Sequence, residues 1–236
     1  MNLGTTQRYY LQTMGVDVFV ARNSAKDIKT IKSPEERQIT VSSVPDTDDN
    51  QVIWNDLRKQ VAVCTRCVLH EGRTQTVFGV GDTHADWMII GEAPGAEEDR
   101  QGEPFVGRAG KLLNSMLYAI GLRREQVYIA NILKCRPPNN RDPRPEEVAC
   151  CEPYLKQQIA LINPKIILAV GRIAAQNLLK VDTPIGQMRG RRYEYPEPRV
   201  PVVVTYHPAY LLRSPREKRK SWQDLQLAMR IYRESK

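Results

Sequence analysis

Five cysteines supply the first candidate chemistry in this chain. Cys64 and Cys67 form a CTRC pair, Cys135 follows in ILKCRPP, and Cys150 and Cys151 stand side by side in VACCEPYL. Two residues between cysteines let both thiolates face one centre, and thiolates hold zinc or an iron–sulfur cluster. A zinc ribbon uses two close CxxC pairs, whereas here a long Pro-rich loop separates the later cysteines from the first pair. Spacing alone leaves zinc and a cluster both open. Unligated structural cysteines are the plainer alternative, and five cysteines including one CxxC argue against it.

Three further segments carry polar groups at chemically unusual places. In WMIIGEAPGAEEDRQGEPFVGRAG (residues 87–110) an apolar run empties into a loop with Gly91, Pro94 and Gly95. Glu92, Glu97, Glu98 and Asp99 follow, and then Phe105 in a Gly- and Pro-rich loop. Glycines let backbone N–H groups approach a ligand, and a helix N-terminus favours an anion. Clustered carboxylates suit a phosphate poorly unless one has a chemical task, and an aromatic ring in such a loop suits stacking on a base. Asn131 interrupts the apolar YIANIL, where a buried carboxamide needs either loop backbone or a ligand edge as partner. His207 opens HPAYLLR directly after an apolar strand, so Arg213 can hold a phosphate while the apolar residues enter a duplex. A strand-end turn, a solvated acidic patch and a structural histidine are the plainer readings of these segments.

The elements that must position these groups alternate. TVFGV, WMIIG, VYIANIL, KIILAVG and VPVVVTY read as strands. Between them AGKLLNSMLYAIG, PEEVACCEPYLKQQIALI and GRIAAQNLLK carry helical patterns, and a last amphipathic helix covers residues 218–234. Near Asp49 a first helix begins, with Ile53, Leu57 and Val61 at four-residue spacing as its inner face. Apolar strands separated by helices imply an α/β fold: a central, mostly parallel sheet flanked by helices in three layers. Such sheets bind ligands beyond the carboxyl ends of their strands, where GEAPG, NILKC, VGR and TYHPAYLLR lie.

Length fits one domain with a tail. Residues 1–50 read as an N-terminal extension, in which polar residues 23–50 form a disordered linker. Apolar residues near 8–22 of that extension suit docking on the domain or on another protein. Residues 51–236 read as the ordered domain that carries all of these segments. The net charge of +8 and pI near 9.3 point weakly to a polyanionic partner. Apolar runs are too short for a bilayer, and no secretory pattern opens the chain. A reducing intracellular compartment is therefore expected, with cysteines as ligands rather than disulfides.

GEAPGAEEDRQGEPFVGRAGKLLN, IANILKCRPPNNRDPRPEE and HPAYLLR together resemble the family 4 uracil-DNA glycosylases, the iron–sulfur branch of the uracil glycosylase superfamily. The resemblance spans roughly residues 50–234 and leaves the N-terminal extension outside. It implies a monofunctional, monomeric hydrolase that cuts the bond between uracil and deoxyribose in single- or double-stranded DNA, leaving an abasic site for base excision repair. It also implies a [4Fe–4S] cluster on Cys64, Cys67, Cys135 and Cys151, because the family's last ligand precedes an x-Pro-aromatic-Leu pattern found in CEPYL. Cys150 is then the spare. By the same resemblance Phe105 stacks on uracil, Asn131 bonds its polar edge, and His207 stabilises the leaving base. Glu98 positions or activates water, and Glu92 shapes the pocket. Ala93 occupies the place where another branch keeps a water-activating Asp. Leu211 is the expected wedge into the duplex, with Tyr210 or Leu212 able to share that task. Arg136, Arg141, Arg144 and Arg213 are expected at phosphates. Nucleoid association through DNA follows from this reading. A non-catalytic iron–sulfur or zinc module that binds DNA lesions is the alternative.

Overall fold

The computed structural model describes residues 48–235. Expectations for residues 1–47, including partner docking, lie outside the described residues. Helix α1 (Asp48–Ala62) and the short α2 (Leu69–Gly72) precede β1 (Val80–Gly81) and β2 (Trp87–Gly91). Then follow α3 (Ala96–Gln101), α4 (Arg108–Ala119), β3 (Tyr128–Asn131), α5 (Pro145–Ile162) and β4 (Ile166–Val170). The chain continues through α6 (Arg172–Leu179), α7 (Ile185–Met188), β5 (Arg192–Tyr195), β6 (Val200–Thr205), α8 (Pro208–Arg213) and α9 (Lys218–Glu234).

One six-stranded sheet runs β1-β3-β2-β4-β6-β5. Its four central strands are parallel, and β1 and β5 add antiparallel edges. Strands β2 and β4 are buried at every position, as a strand covered on both faces must be. Alternation then sorts their side chains between two layers. Met88, Ile90, Ile167 and Ala169 meet Trp54 and Leu57 of α1, Leu155 and Ile159 of α5, and Leu178 of α6 in one apolar layer. Trp87, Ile89, Leu168 and Val170 meet Leu113 and Met116 of α4 and Leu225 and Ala228 of α9 in the other. The three-layer α/β architecture is the expected one.

Several local expectations need correction. Ile53 faces solvent, and Trp54 takes the inner position, edge-on to Phe78 and Tyr128 at 5.2 and 5.3 Å. An aromatic ring one place along covers more of the sheet than Ile53 can. TVFGV narrows to Val80–Gly81, because Val77 bonds the Lys134 carbonyl outside the ladder. Strand β5 was not expected from RYEY, since Arg192 and Glu194 are exposed and only Tyr195 is fully buried.

The crossovers position the site. After β2 the chain passes through α4 to β3 on one side; after β3 it passes through α5 to β4 on the other side of β2. This reversal opens a crevice at the carboxyl ends of β2 and β3, where Gly91 and Asn131 stand in register.

Candidate active site

A cleft of ≈ 470 Å³ lies at that crevice. Glu92, Ala93, Glu98, Phe105, Asn131, His207 and Arg213 all line it. These seven predicted residues thus converge from the ends of β2, β3 and β6, from the Phe105 loop and from helices α3 and α8.

Each is held by its local backbone. Glu98 lies in the first turn of α3, and its carboxylate folds back over the loop. Oε2 accepts the Gly95 N–H at 3.1 Å, while Oε1 accepts those of Val106 and Gly107 at 3.0 and 3.3 Å. One carboxylate therefore joins the GEAPG turn to the Phe105 loop and fixes its own direction. Asn131 ends β3 and is buried, yet its Oδ1 has no hydrogen-bond partner among the described residues. An unpaired buried acceptor is costly, so a ligand N–H at this atom relieves a real penalty. Gly91 is required beside it: a Cβ there would lie 2.5 Å from Asn131 Oδ1 and 2.7 Å from Phe105 Cζ.

His207 caps α8, and its Nδ1 accepts the Ala209 N–H at 3.1 Å. That bond places the remaining proton of a neutral ring on Nε2. Burial pushes the imidazole down to about 4, Arg213 adds to the shift, and Glu98 opposes it. At neutral pH the ring is thus an uncharged donor. Glu92 is displaced the other way: burial pushes its carboxyl up to about 7, Asp142 adds to this, and Arg172 opposes it. The cleft holds one carboxyl that titrates near neutrality and one imidazole that does not.

The chain is similar to proteins of known family. Residues 78–226 match the family model described as the uracil DNA glycosylase superfamily. A type-4 uracil-DNA glycosylase of Archaeoglobus fulgidus is 50% identical over 167 residues, covering 68% of this chain and 84% of that one. Those of Sulfurisphaera tokodaii and Pyrobaculum aerophilum are 45% and 43% identical, covering 67% and 72% of this chain and 76% and 89% of theirs. The chain belongs to the type-4 uracil-DNA glycosylases.

In this type-4 glycosylase the five cysteines line a second cavity, between the end of α1 and the start of α5. Among the described residues, no three His, Cys, Asp or Glu side chains converge closely enough to hold a single metal ion. A four-iron cluster is bulkier than one zinc ion, and its ligands stand further apart. Arg66, Arg73 and Lys134 line the same cavity, a cationic setting suited to an anionic thiolate-bound group. Arg73 Nη1 donates to Cys135 Sγ at 3.2 Å and to the Cys64 carbonyl at 2.7 Å. Cys151 is buried, whereas Cys150 is half-buried and donates its S–H to the Arg66 carbonyl at 3.2 Å. These thiols and the cationic side chains beside them suit a thiolate-bound, anionic group.

One expectation for DNA contact in the glycosylase is corrected. Leu211 is fully buried in the layer formed with α4 and α9, so it supports the sheet instead of entering a duplex. Its neighbour Leu212 is 43% exposed. The pattern AYLL gives no hint which leucine of a single helical turn points inward. Arg141 lines the cleft, and its guanidinium grips the Glu147 carboxylate through two hydrogen bonds, at 2.8 and 2.5 Å.

Sequence reasoning passed over several supporting residues. Gly171 has φ +101°, and a Cβ there would lie 3.1 Å from His207 Cβ, so VGR clears space for the imidazole. Lys134 is fully buried beside the cysteines and donates to the Asn131 carbonyl at 3.0 Å and Gln158 Oε1 at 2.6 Å. Burial lowers its amine to about 7, opposed by Cys151. A lysine within an apolar NILKC run is the signal that was available.

Proposed function

We propose that this chain hydrolyses the N-glycosidic bond of uracil in DNA, releasing uracil and leaving an abasic site, within an intracellular, nucleoid-associated repair process. Its relatives are named for uracil-DNA glycosylase activity. The observation that carries the reading is the pairing, in one cleft, of the orphaned Asn131 Oδ1 with a neutral His207 that donates through Nε2. Uracil offers an N–H to the first group and a carbonyl oxygen to the second. Cytosine carries no proton at the matching ring nitrogen.

The chemistry follows from charge. A base inside a duplex is out of reach, so it is extruded at a cost of a few kcal/mol and packs against Phe105. Breaking the glycosidic bond leaves negative charge on uracil and positive charge on the sugar. The His207 Nε2–H donates to the leaving base, and a neutral donor does this without giving up a proton. Glu98 opposes the sugar's positive charge and orients the attacking water. Ala93 has no group able to replace it. Glu92 shapes the floor of the pocket, and Arg213 at the rim meets a phosphate.

Cys64, Cys67, Cys135 and Cys151 would hold a [4Fe–4S] cluster, with Cys150 as the spare. When bound, it supplies thiolate–iron bonds that tie three distant chain segments together. This braces the loop of Arg136 and Arg144 toward DNA. The reading takes the protein as a monomer.

Release of free uracil from a uracil-containing oligonucleotide, followed by alkaline cleavage of the abasic site, tests the reading. Product above a heat-killed control is expected from wild type. Glu98→Ala and His207→Ala should each lose about 100-fold or more in rate, the scale of losing one transition-state donor. Tight binding of uracil DNA without base release would instead establish a lesion-binding module.

A further inference from the structure

Phe105 adopts φ +54°, in the left-handed region that residues with a Cβ seldom occupy. Strain of this kind persists only where neighbours over-determine it. One neighbour is Gly110, where a Cβ would lie 1.7 Å from the Phe105 carbonyl oxygen; α4 therefore starts hard against that carbonyl. The other is Arg124, in the turn before β3. Its Nη1 donates to the Phe105 carbonyl at 3.3 Å and its Nη2 to the Pro104 carbonyl. Nη1 also reaches Asn114 Oδ1 on α4, at 3.5 Å. A planar fork thus bridges two consecutive carbonyls on one side and a helix on the other, a task matched to guanidinium geometry.

We propose that Arg124 is the positioning residue of the base platform: it holds the Pro104 and Phe105 carbonyls so that the Phe105 ring faces the cleft beside His207, and so sets affinity for the extruded pyrimidine. The proposal rests on the uracil-excision reading above. Arg124 lies outside the cleft and touches no reacting atom. Its effect must therefore pass through Phe105.

Arg124→Met keeps the bulk of the stem and removes every donor. Charged hydrogen bonds of this kind are each worth enough to change affinity about 10-fold or more. In Arg124→Met the KM for a uracil oligonucleotide and the inhibition constant of free uracil should rise roughly 10-fold, while kcat at saturation changes less. Arg124→Lys, retaining charge but not the fork, should recover part of the loss. In a Phe105→Ala background, Arg124→Met should add nothing further to the loss of uracil binding. Unchanged uracil inhibition in Arg124→Met would overturn the proposal, as would a full additional loss in the Phe105→Ala background. If Arg124→Met fails to fold, Arg124→Lys decides: weakened uracil inhibition supports the role and wild-type inhibition overturns it. If wild type releases no uracil, the excision reading falls. A crystal structure of Arg124→Met then still judges the positioning claim. A Phe105 φ that relaxes to negative values supports it, and a retained left-handed φ overturns it.

Discussion

The Phe105 ring stacks on the His207 imidazole, with centroids 5.6 Å apart and planes at 29°. The base platform and the proposed leaving-group donor are therefore one packed unit. A double-mutant cycle on excision rate between Phe105→Ala and His207→Ala should show coupling of about 0.5–1.5 kcal/mol, the usual worth of such a ring pair. Additive losses would mean that the two rings act separately.

The two titrating groups of the cleft give stability opposite pH dependences. Glu92 binds its proton more tightly when folded, with a value of about 7 against an ordinary 4.5. Its contribution to stability is full below 4.5 and is lost as pH rises through 7. His207 is depressed to about 4 from 6.5, so its contribution is full above 6.5 and is lost as pH falls toward 4. Melting temperatures across this range should fall less on the alkaline side in Glu92→Gln. Asp142→Asn removes a like charge and should shift the Glu92 inflection downward. An unchanged profile in both variants would refute the assignment.

Gly91→Ala adds one methyl group where Asn131 Oδ1 and Phe105 stand within 2.7 Å of it. Both side chains must move. Uracil binding should fall by about 10-fold or more, as when a paired polar contact in a binding site is lost. Circular dichroism should still report a folded α/β protein, because Gly91 ends its strand at the cleft.

The two leucines of α8 should separate cleanly. Leu211→Ala empties a fully buried site and should cost about 2–5 kcal/mol in denaturant unfolding. Leu212→Ala should stay within about 0.5 kcal/mol in stability. Its excision from duplex should weaken relative to single strands, if the exposed leucine fills the gap left by the base.

Cys151→Ser should lose the visible absorption of anaerobically purified protein, and Cys150→Ser should keep it. The reverse outcome would exchange the ligand and the spare.

What the sequence made legible was whatever depends on pattern. Uninterrupted apolar strands announced a sheet covered on both faces, and polar residues at strand ends announced the cleft. Features set by three-dimensional neighbours stayed hidden. Nothing near Arg124 in the chain points to Phe105, 19 residues earlier, since their contact exists only after α4 has folded between them. The inward choice between Leu211 and Leu212 depends on how α8 rolls against α4 and α9. RYEY carries too little apolar character to declare itself as an edge strand.

That edge has a bearing on self-association. Strand β5 ends the sheet with outward Arg192 and Glu194, and at the far side β1 spans two residues, preceded by Gly79 and ending in Gly81, with φ of +141° and +122°. Charge blunts one border; brevity and twisted backbone blunt the other. Neither offers another copy a straight row of vacant amides to zip against. The most apolar strands, β2 and β4, lie shielded at the centre of the sheet, away from both borders.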